Sequence, residues 1–160
     1  DRVLVVEDDP ATRLGLAELV GMRVLSTGGT FDDELDTLEQ SFEGHDLFFL
    51  HYKPADAAGE EGDFEAKVSA LEELDAKIPR LVAMGADTLV VAGDHSTPAI
   101  VAGHSWHPVP LLIHSPLTKG DGVPELTERA CAAGSIGRIP ATSVMMLALA
   151  NAGKLRKFGP

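Results

Sequence analysis

VVAGDHSTPAIVAGHSWHPVPLLIH, Val90 to His114, is the stretch on which the reading of this chain turns, and it holds four of the six histidines. Its two ends are short apolar runs. "DTLVVAG" (Asp87 to Gly93) and "VPLLIH" (Val109 to His114) have the length and β-branched content of buried strands. Between them lies a loop carrying Asp94, His95, His104 and His107. In open α/β sheets, ligands bind beyond the carboxyl ends of the strands, so an Asp-His pair directly after an apolar run raises the question of a metal site.

Working outward, strand-like and helix-like segments alternate. Upstream, Phe64, Val68, Leu71, Leu74, Ile78 and Leu81 recur at spacings of three and four, which predicts one long helix with an apolar stripe. Pro79 is expected to kink or split it. Before it, "KPADAAGEEGD" reads as a polar, glycine-rich loop leaving the strand "DLFFLHY" (Asp46 to Tyr52). "TFDDELDTLEQSF" predicts a helix with Thr30 as N-cap and carboxylates in the first turn, where the helix dipole favours them. "RVLVV" and "MRVLST" add two more strands, with a short helix in "TRLGLAELVG" between them. Downstream, "TSVMMLALANAGKL" has the composition of a buried helix. The alternation predicts an α/β fold, a layered three-layer sandwich with a mainly parallel sheet and helices on both faces.

Composition narrows the function classes. The 160 residues suffice for one domain, and a hydrophobic fraction of 44% marks globular material. A net charge of −12 argues against a nucleic-acid partner, because phosphate contacts need clustered Lys and Arg. No apolar run reaches the ~20 residues of a membrane span. One cysteine, Cys131, excludes an internal disulfide and fits a reducing compartment. The expectation is a cytoplasmic protein.

Two loops that leave strand ends carry metal-type ligands. The first has Asp56, Glu60, Glu61 and Asp63; the second has Asp94, His95, His104 and His107. Mixed carboxylate and imidazole donors suit Mn²⁺, Zn²⁺ or Fe²⁺ better than Ca²⁺. Side chains of neighbours such as Asp94 and His95 are expected to diverge. The plain alternative is a solvated acidic loop, to which Glu61 and Asp63 are assigned, and His107 is assigned to the surface or to a supporting role behind the ligands. His45, His51 and His114 flank strands as structural histidines.

The order of these motifs adds a resemblance. "TLVVAGDHSTP" followed by "GHSWHPVPLLIHSP" resembles the C-terminal metal-binding segment of cofactor-independent phosphoglycerate mutases of the archaeal type, in the alkaline phosphatase superfamily. It extends through "DLFFLHYKPADAAGEEGDFEAKVSALEELD", "ERACAAGSIGRIPATSVMMLALANAGKLRKFG" and "LGLAELVGMRVLSTGG", nearly the whole chain. The resemblance implies an isomerase that interconverts 2- and 3-phosphoglycerate through a phosphoserine, with two divalent metals, manganese first and zinc or magnesium as alternatives. Asp94 and His95 would hold the metal that activates the serine. Asp56 and His104, with Glu60 four residues after Asp56, would hold the other. Arg13, Lys53 and Arg138 are the candidates for contacting the phosphoglycerate substrate.

The chain also departs from the family pattern. Glu60 stands where the wider superfamily often has histidine. Family members are much longer, and nothing here matches the half that carries the nucleophilic serine and the inserted substrate-binding region. Residues 1–160 are therefore expected to be the C-terminal portion of an incomplete catalytic domain, with no catalytic nucleophile, partnered by the missing N-terminal half and inactive alone. The alternatives are another phosphatase or phosphotransferase of the superfamily, or a non-catalytic metal-binding domain. "RVLVVEDDPATRLGLAEL" also reads like the opening of a response-regulator receiver domain, but His51 stands where the phosphoacceptor aspartate is needed. Glu7, Asp8 and Asp9 are then an exposed turn.

Overall fold

The computed structural model describes residues 3–6 and 16–155. The chain divides into two compact units, Asp1–Pro54 and Ala55–Pro160. Arg13, the acidic turn at residues 7–9 and the first four residues of the "TRLGLAELVG" segment lie outside the described residues.

In the first unit, strands β1 (Val3–Val6), β2 (Arg23–Leu25) and β3 (Leu47–Leu50) form a parallel sheet in the order β2-β1-β3. Leu4 is aligned with Arg23 on one side and Phe48 on the other. The connections carry helices α1 (Leu16–Leu19) and α2 (Phe31–Ser41), as parallel pairing requires. Helix α2 starts where the sequence predicts. The Thr30 hydroxyl accepts from the Asp33 amide at 3.2 Å, and Asp33 Oδ2 accepts from the Thr30 amide at 3.0 Å and from its hydroxyl at 2.7 Å. This capping box satisfies two amides that the helix leaves unpaired. The hydroxyl first, and the amide second, hold the Asp33 carboxyl below the usual range. Leu35 and Leu38 are buried on one face of α2. Phe31 packs edge-on against Tyr52 and Phe42 stacks on Phe48, at ring separations of 5.0 and 5.3 Å. His45 is a structural histidine, with Nδ1 3.0 Å from the Ser41 carbonyl.

The second unit departs from expectation in four places. The expected loop after β3 is instead helix α3 (Pro54–Glu60). Proline is favoured in the first helical turn and the alanines that follow are strong helix formers, which outweighs the glycine content. The turn comes only at Gly62, with φ 74°. Asp63, assigned to the surface from sequence, then caps helix α4 (Phe64–Ala83), its carboxylate accepting from the Ala66 amide at 2.9 Å.

Helix α4 runs unbroken through Pro79 for 20 residues. The carbonyl that loses its donor belongs to Asp75, which is exposed, so water can satisfy it. Within the apolar stripe of α4, Val68, Leu74, Ile78 and Leu81 are partly covered, while Phe64 and Leu71 remain exposed.

Strand β4 (Leu89–Ala92) pairs with β5 (Leu111–His114) antiparallel, Leu89 opposite His114 and Ala92 opposite Leu111. A parallel pair needs a crossover, usually helical. The chain here turns over at Pro98–Ala102 and comes back beside itself, Ser96 bridging Ser105. Helices α5 (Glu128–Ala133) and α6 (Val144–Asn151) are tied to β5. The Cys131 thiol faces the Leu111 carbonyl at 3.8 Å, and the Ser115 hydroxyl donates to the Asn151 carbonyl at 2.7 Å. The expected burial of α6 is not met: Met145 and Met146 are exposed. An apolar helix needs cover on every side, and within this chain α6 is covered only in part. No described helix is long and apolar enough to cross a membrane.

Candidate metal centre

Three segments of the second unit converge. Helix α3 places Asp56 in its first turn and Glu60 at its end, four residues apart and therefore on one face. The carboxyl end of β4 leads through Gly93 into Asp94 and His95. The returning segment, held in place by the bond from the Ser105 amide to the Ser96 carbonyl at 2.8 Å, brings His104.

The ligand-type atoms of Asp56, His95 and His104 lie within 4.8 Å of one another. Nε2 of His104 is 3.2 Å from Glu60 Oε1 and 3.8 Å from Asp56 Oδ1. Nε2 of His95 is 3.3 Å from Asp94 Oδ2, and its Nδ1 is 3.8 Å from Asp56 Oδ1. The two imidazole rings are 3.8 Å apart. Of the five ligand candidates read from the sequence, Asp56, His95 and His104 form one group, with Glu60 beside His104 and Asp94 beside His95.

Asp94 and His95 do not diverge as expected. They sit in a bend and not in extended strand, and the His95 amide donates to Asp94 Oδ1 at 2.9 Å, which folds the aspartate back toward the ring. This local bond is typical of aspartate in turns.

The donor set fits divalent cations. Two ligands each about 2.1 Å from one ion are separated by roughly 3.0–3.4 Å for right-angle to tetrahedral arrangements. The Glu60–His104 and Asp94–His95 separations of 3.2 and 3.3 Å both fall in that span. Asp56 is the least exposed of the five, with a side-chain exposure of 16%, and Asp94 the most, at 70%. The arrangement is graded from a shielded carboxylate to an open rim.

Three residues that sequence reasoning missed support these ligands. Thr97 is 4% exposed, and its hydroxyl donates to Asp56 Oδ1 at 2.5 Å. The same oxygen is 3.1 Å from His95 Nδ1. Lys67, in the first turn of α4, donates to the Thr97 carbonyl at 2.5 Å. Gly59 of α3 is buried directly against Thr97, where a Cβ would overlap the Thr97 carbonyl oxygen. Thr97 sits two residues after His95, and that nearness along the chain is the one signal the sequence offered.

The remaining candidates are exposed. His107 is exposed, accompanies Ser105 Oγ at 2.8 Å and stacks on Trp106. Lys53 is exposed just before α3, in the first unit. Arg138 is exposed after Gly137, which has φ 65°.

Comparison with known proteins finds a family profile described as the Metalloenzyme superfamily over residues 21–151. The chain is 50% identical over 146 residues to the probable 2,3-bisphosphoglycerate-independent phosphoglycerate mutase of Aquifex aeolicus. That match covers 91% of this chain but 36% of the relative, so the chain spans about a third of the length of the curated relatives it matches. Among solved structures, the PH0037 protein from Pyrococcus horikoshii superposes with a TM-score of 0.90 at 28% identity, over 99% of this chain and 51% of that one. The cofactor-independent phosphoglycerate mutase from Thermoplasma acidophilum superposes with a TM-score of 0.73 at 22% identity, over 95% of this chain and 36% of that one. The second likeness is one of fold.

Proposed function

Because this chain belongs to the Metalloenzyme superfamily, with residues 21–151 inside the family profile, we propose that it is the C-terminal, metal-binding part of a 2,3-bisphosphoglycerate-independent phosphoglycerate mutase. The observation that carries the reading is the convergence of Asp56, Glu60, Asp94, His95 and His104 in a chain 50% identical to a protein bearing that name. The finer architecture, a three-layer sandwich with a mainly parallel sheet, belongs to the same proposal and is supported by the parallel β2-β1-β3 sheet.

In this reading Asp94 and His95 hold one divalent cation, while Asp56, Glu60 and His104 hold a second. Three carboxylates against two imidazoles favour a hard or borderline ion, Mn²⁺ before Zn²⁺ or Mg²⁺. Two such ions, when bound, would neutralise phosphoryl charge and acidify a serine nucleophile. The residues of this chain supply position: the folded-back Asp94 carboxylate faces His95, and the helical face of α3 keeps Asp56 and Glu60 in register. Preorganised charge of this kind accounts for much of the acceleration in phosphoryl transfer. The nucleophilic serine and the rest of the substrate site would come from the N-terminal half that the longer relatives contain. Ser96 and Ser105, whose backbones bridge the two arms of the loop, are read as sitting among ligands and not in a nucleophile motif. Lys53 and Arg138 are proposed to meet the substrate phosphate, as is Arg13, and the cytoplasm is the proposed setting.

The test is interconversion of 2- and 3-phosphoglycerate by the full-length polypeptide, before and after metal stripping. Mn²⁺-dependent activity in the full-length protein, with none in the 160-residue chain, is the expected result. Full-length protein that hydrolyses phosphomonoesters but does not isomerise phosphoglycerate would overturn it.

A further inference from the structure

The loop that carries His104 presents an apolar surface as well as a ligand. Ile100 is 97% exposed and Trp106 80%, and Val101 is exposed beside them in sequence. Residues 96–110 contain no Asp, Glu, Lys or Arg, although these make up 24% of the chain. At the chain's average frequency a stretch of that length would hold several charges. Loss of charge around an exposed tryptophan is the composition of an interface core, not of a solvated loop.

The backbone fixes how this surface is presented. Bonds from the Val101 amide to the Pro98 carbonyl at 2.9 Å, and from the Ala102 amide to the Pro98 and Ala99 carbonyls at 3.1 and 3.2 Å, close the turn. Ala102 takes a left-handed φ of 52°, which disfavours a side chain. Its methyl lies 3.4 Å from the place a Cβ would occupy on Gly62, just past helix α3. Ile100 is thus held at the tip by bonds that do not depend on its own burial. With so much exposure its side chain adds almost nothing to the packing of the loop, so its apolar character answers to something outside it. At the other end Trp106 stacks on His107, ring centroids 4.5 Å apart, two residues past His104.

We propose that Ile100, Val101 and Trp106 dock the N-terminal half of the longer polypeptide beside the cation site. The inference rests on the functional reading above and adds the surface on which the missing half is seated. Two observations select this occupant. The chain spans about a third of the length of the curated relatives it matches, so in that reading a larger body of polypeptide packs against it. The ligand candidates next to the loop, Asp94 and His104, are exposed. A nucleophile carried outside residues 1–160 reaches them only if its segment lies against their rim, which this loop forms. A second copy of the chain fits worse. Its acidic surface would meet a like surface beside Asp56, Glu60 and Asp94, at a net charge of −12 per chain. Seated on Ile100 and Trp106, the N-terminal half is held in register with His104, and the approach of its nucleophile to the cations depends on that register.

The experiment uses the full-length polypeptide. A benzophenone side chain is placed at position 100, the protein is irradiated, and cross-linked peptides are identified by mass spectrometry. Acrylamide quenching of the parent is compared with that of Trp106→Phe, so that the difference reports Trp106 alone. The expected result is cross-links to the N-terminal half that persist on dilution, with quenching of Trp106 several-fold weaker than that of an exposed indole. Ile100→Ser combined with Trp106→Ser should lower kcat for isomerisation by up to about 100-fold and leave Mn²⁺ affinity within a few-fold. Cross-links that join two copies, or that stay within residues 1–160, overturn the proposal. So does a Trp106 quenched like free indole, or a folded double variant with the parental kcat. If the double variant does not fold, cross-linking and quenching still decide. A parent that docks in this way but does not isomerise phosphoglycerate leaves the docking surface standing and sinks the functional reading instead.

Discussion

Gly59→Ala sets two elementary rules against each other. Gly59 lies inside helix α3, where replacing glycine by alanine ordinarily stabilises by about 1 kcal/mol. The structure predicts the reverse. A Cβ at this position would overlap the Thr97 carbonyl oxygen and come within 2.9 Å of Lys67 Nζ and 3.1 Å of Thr97 Cγ2. The lysine can swing away, but the carbonyl is backbone and cannot move without dragging Thr97 and its bond to Asp56. Overpacking of this kind costs about 1–3 kcal/mol. Losing the charged hydrogen bond from Lys67 adds about 1.5–3 kcal/mol. Set against the propensity gain, the net expectation is a loss of about 1.5–5 kcal/mol. Urea denaturation of the parent and the variant measures it. Mn²⁺ titration provides the second readout, because displaced Thr97 should also weaken binding. A variant as stable as the parent or more so, with unchanged affinity, would refute the claim that α3 is held against Thr97.

Three further expectations follow from other parts of the fold. Glu60→Gln keeps the shape of the side chain and removes its charge beside His104, so calorimetry should find Mn²⁺ affinity reduced by at least the roughly 10–100-fold that supporting residues cost. Pro79→Ala should stabilise the protein by up to about 3 kcal/mol, less a few tenths to 1 kcal/mol for the freer unfolded chain, since α4 is already unbroken there; a lower thermal midpoint in the variant would count against that. Asp33 is held acidic by Thr30, so its contribution is present above the ordinary aspartate range and is lost as pH falls through the depressed folded value. The gap in thermal midpoint between the parent and Asp33→Asn should therefore be largest near neutral pH and close from about pH 4 downward; a gap that widens on acidification would contradict the capping role.

Local rules accounted for what is local. Thr30 as N-cap, the strands at Leu47–Leu50 and Leu89–Ala92, and the helical periodicity from Phe64 onward depend on neighbouring residues, and each stands where sequence alone put it. The five ligand candidates were also readable, because residue type and position after an apolar run mark them out. Where two local rules competed, the reading followed the wrong one: Pro54 and the alanines made a helix of a stretch whose glycines suggested a loop. Long-range facts were out of reach. The antiparallel turn-back between β4 and β5 depends on how the loop closes on itself through Ser96 and Ser105, and periodicity carries no strand direction.

Thr97, Lys67 and Gly59 show the same division most sharply. A threonine two residues after a histidine, a lysine in a helix and a glycine near a helix end are each ordinary in sequence. They acquire a role only when α3, α4 and the segment after β4 meet at one carbonyl and one hydroxyl. Sequence by itself determined which side chains can ligate a cation, because that is a property of their atoms. Tertiary structure decided which atoms face one another, because hydrogen-bond partnership is a matter of a few tenths of an ångström between segments distant along the chain.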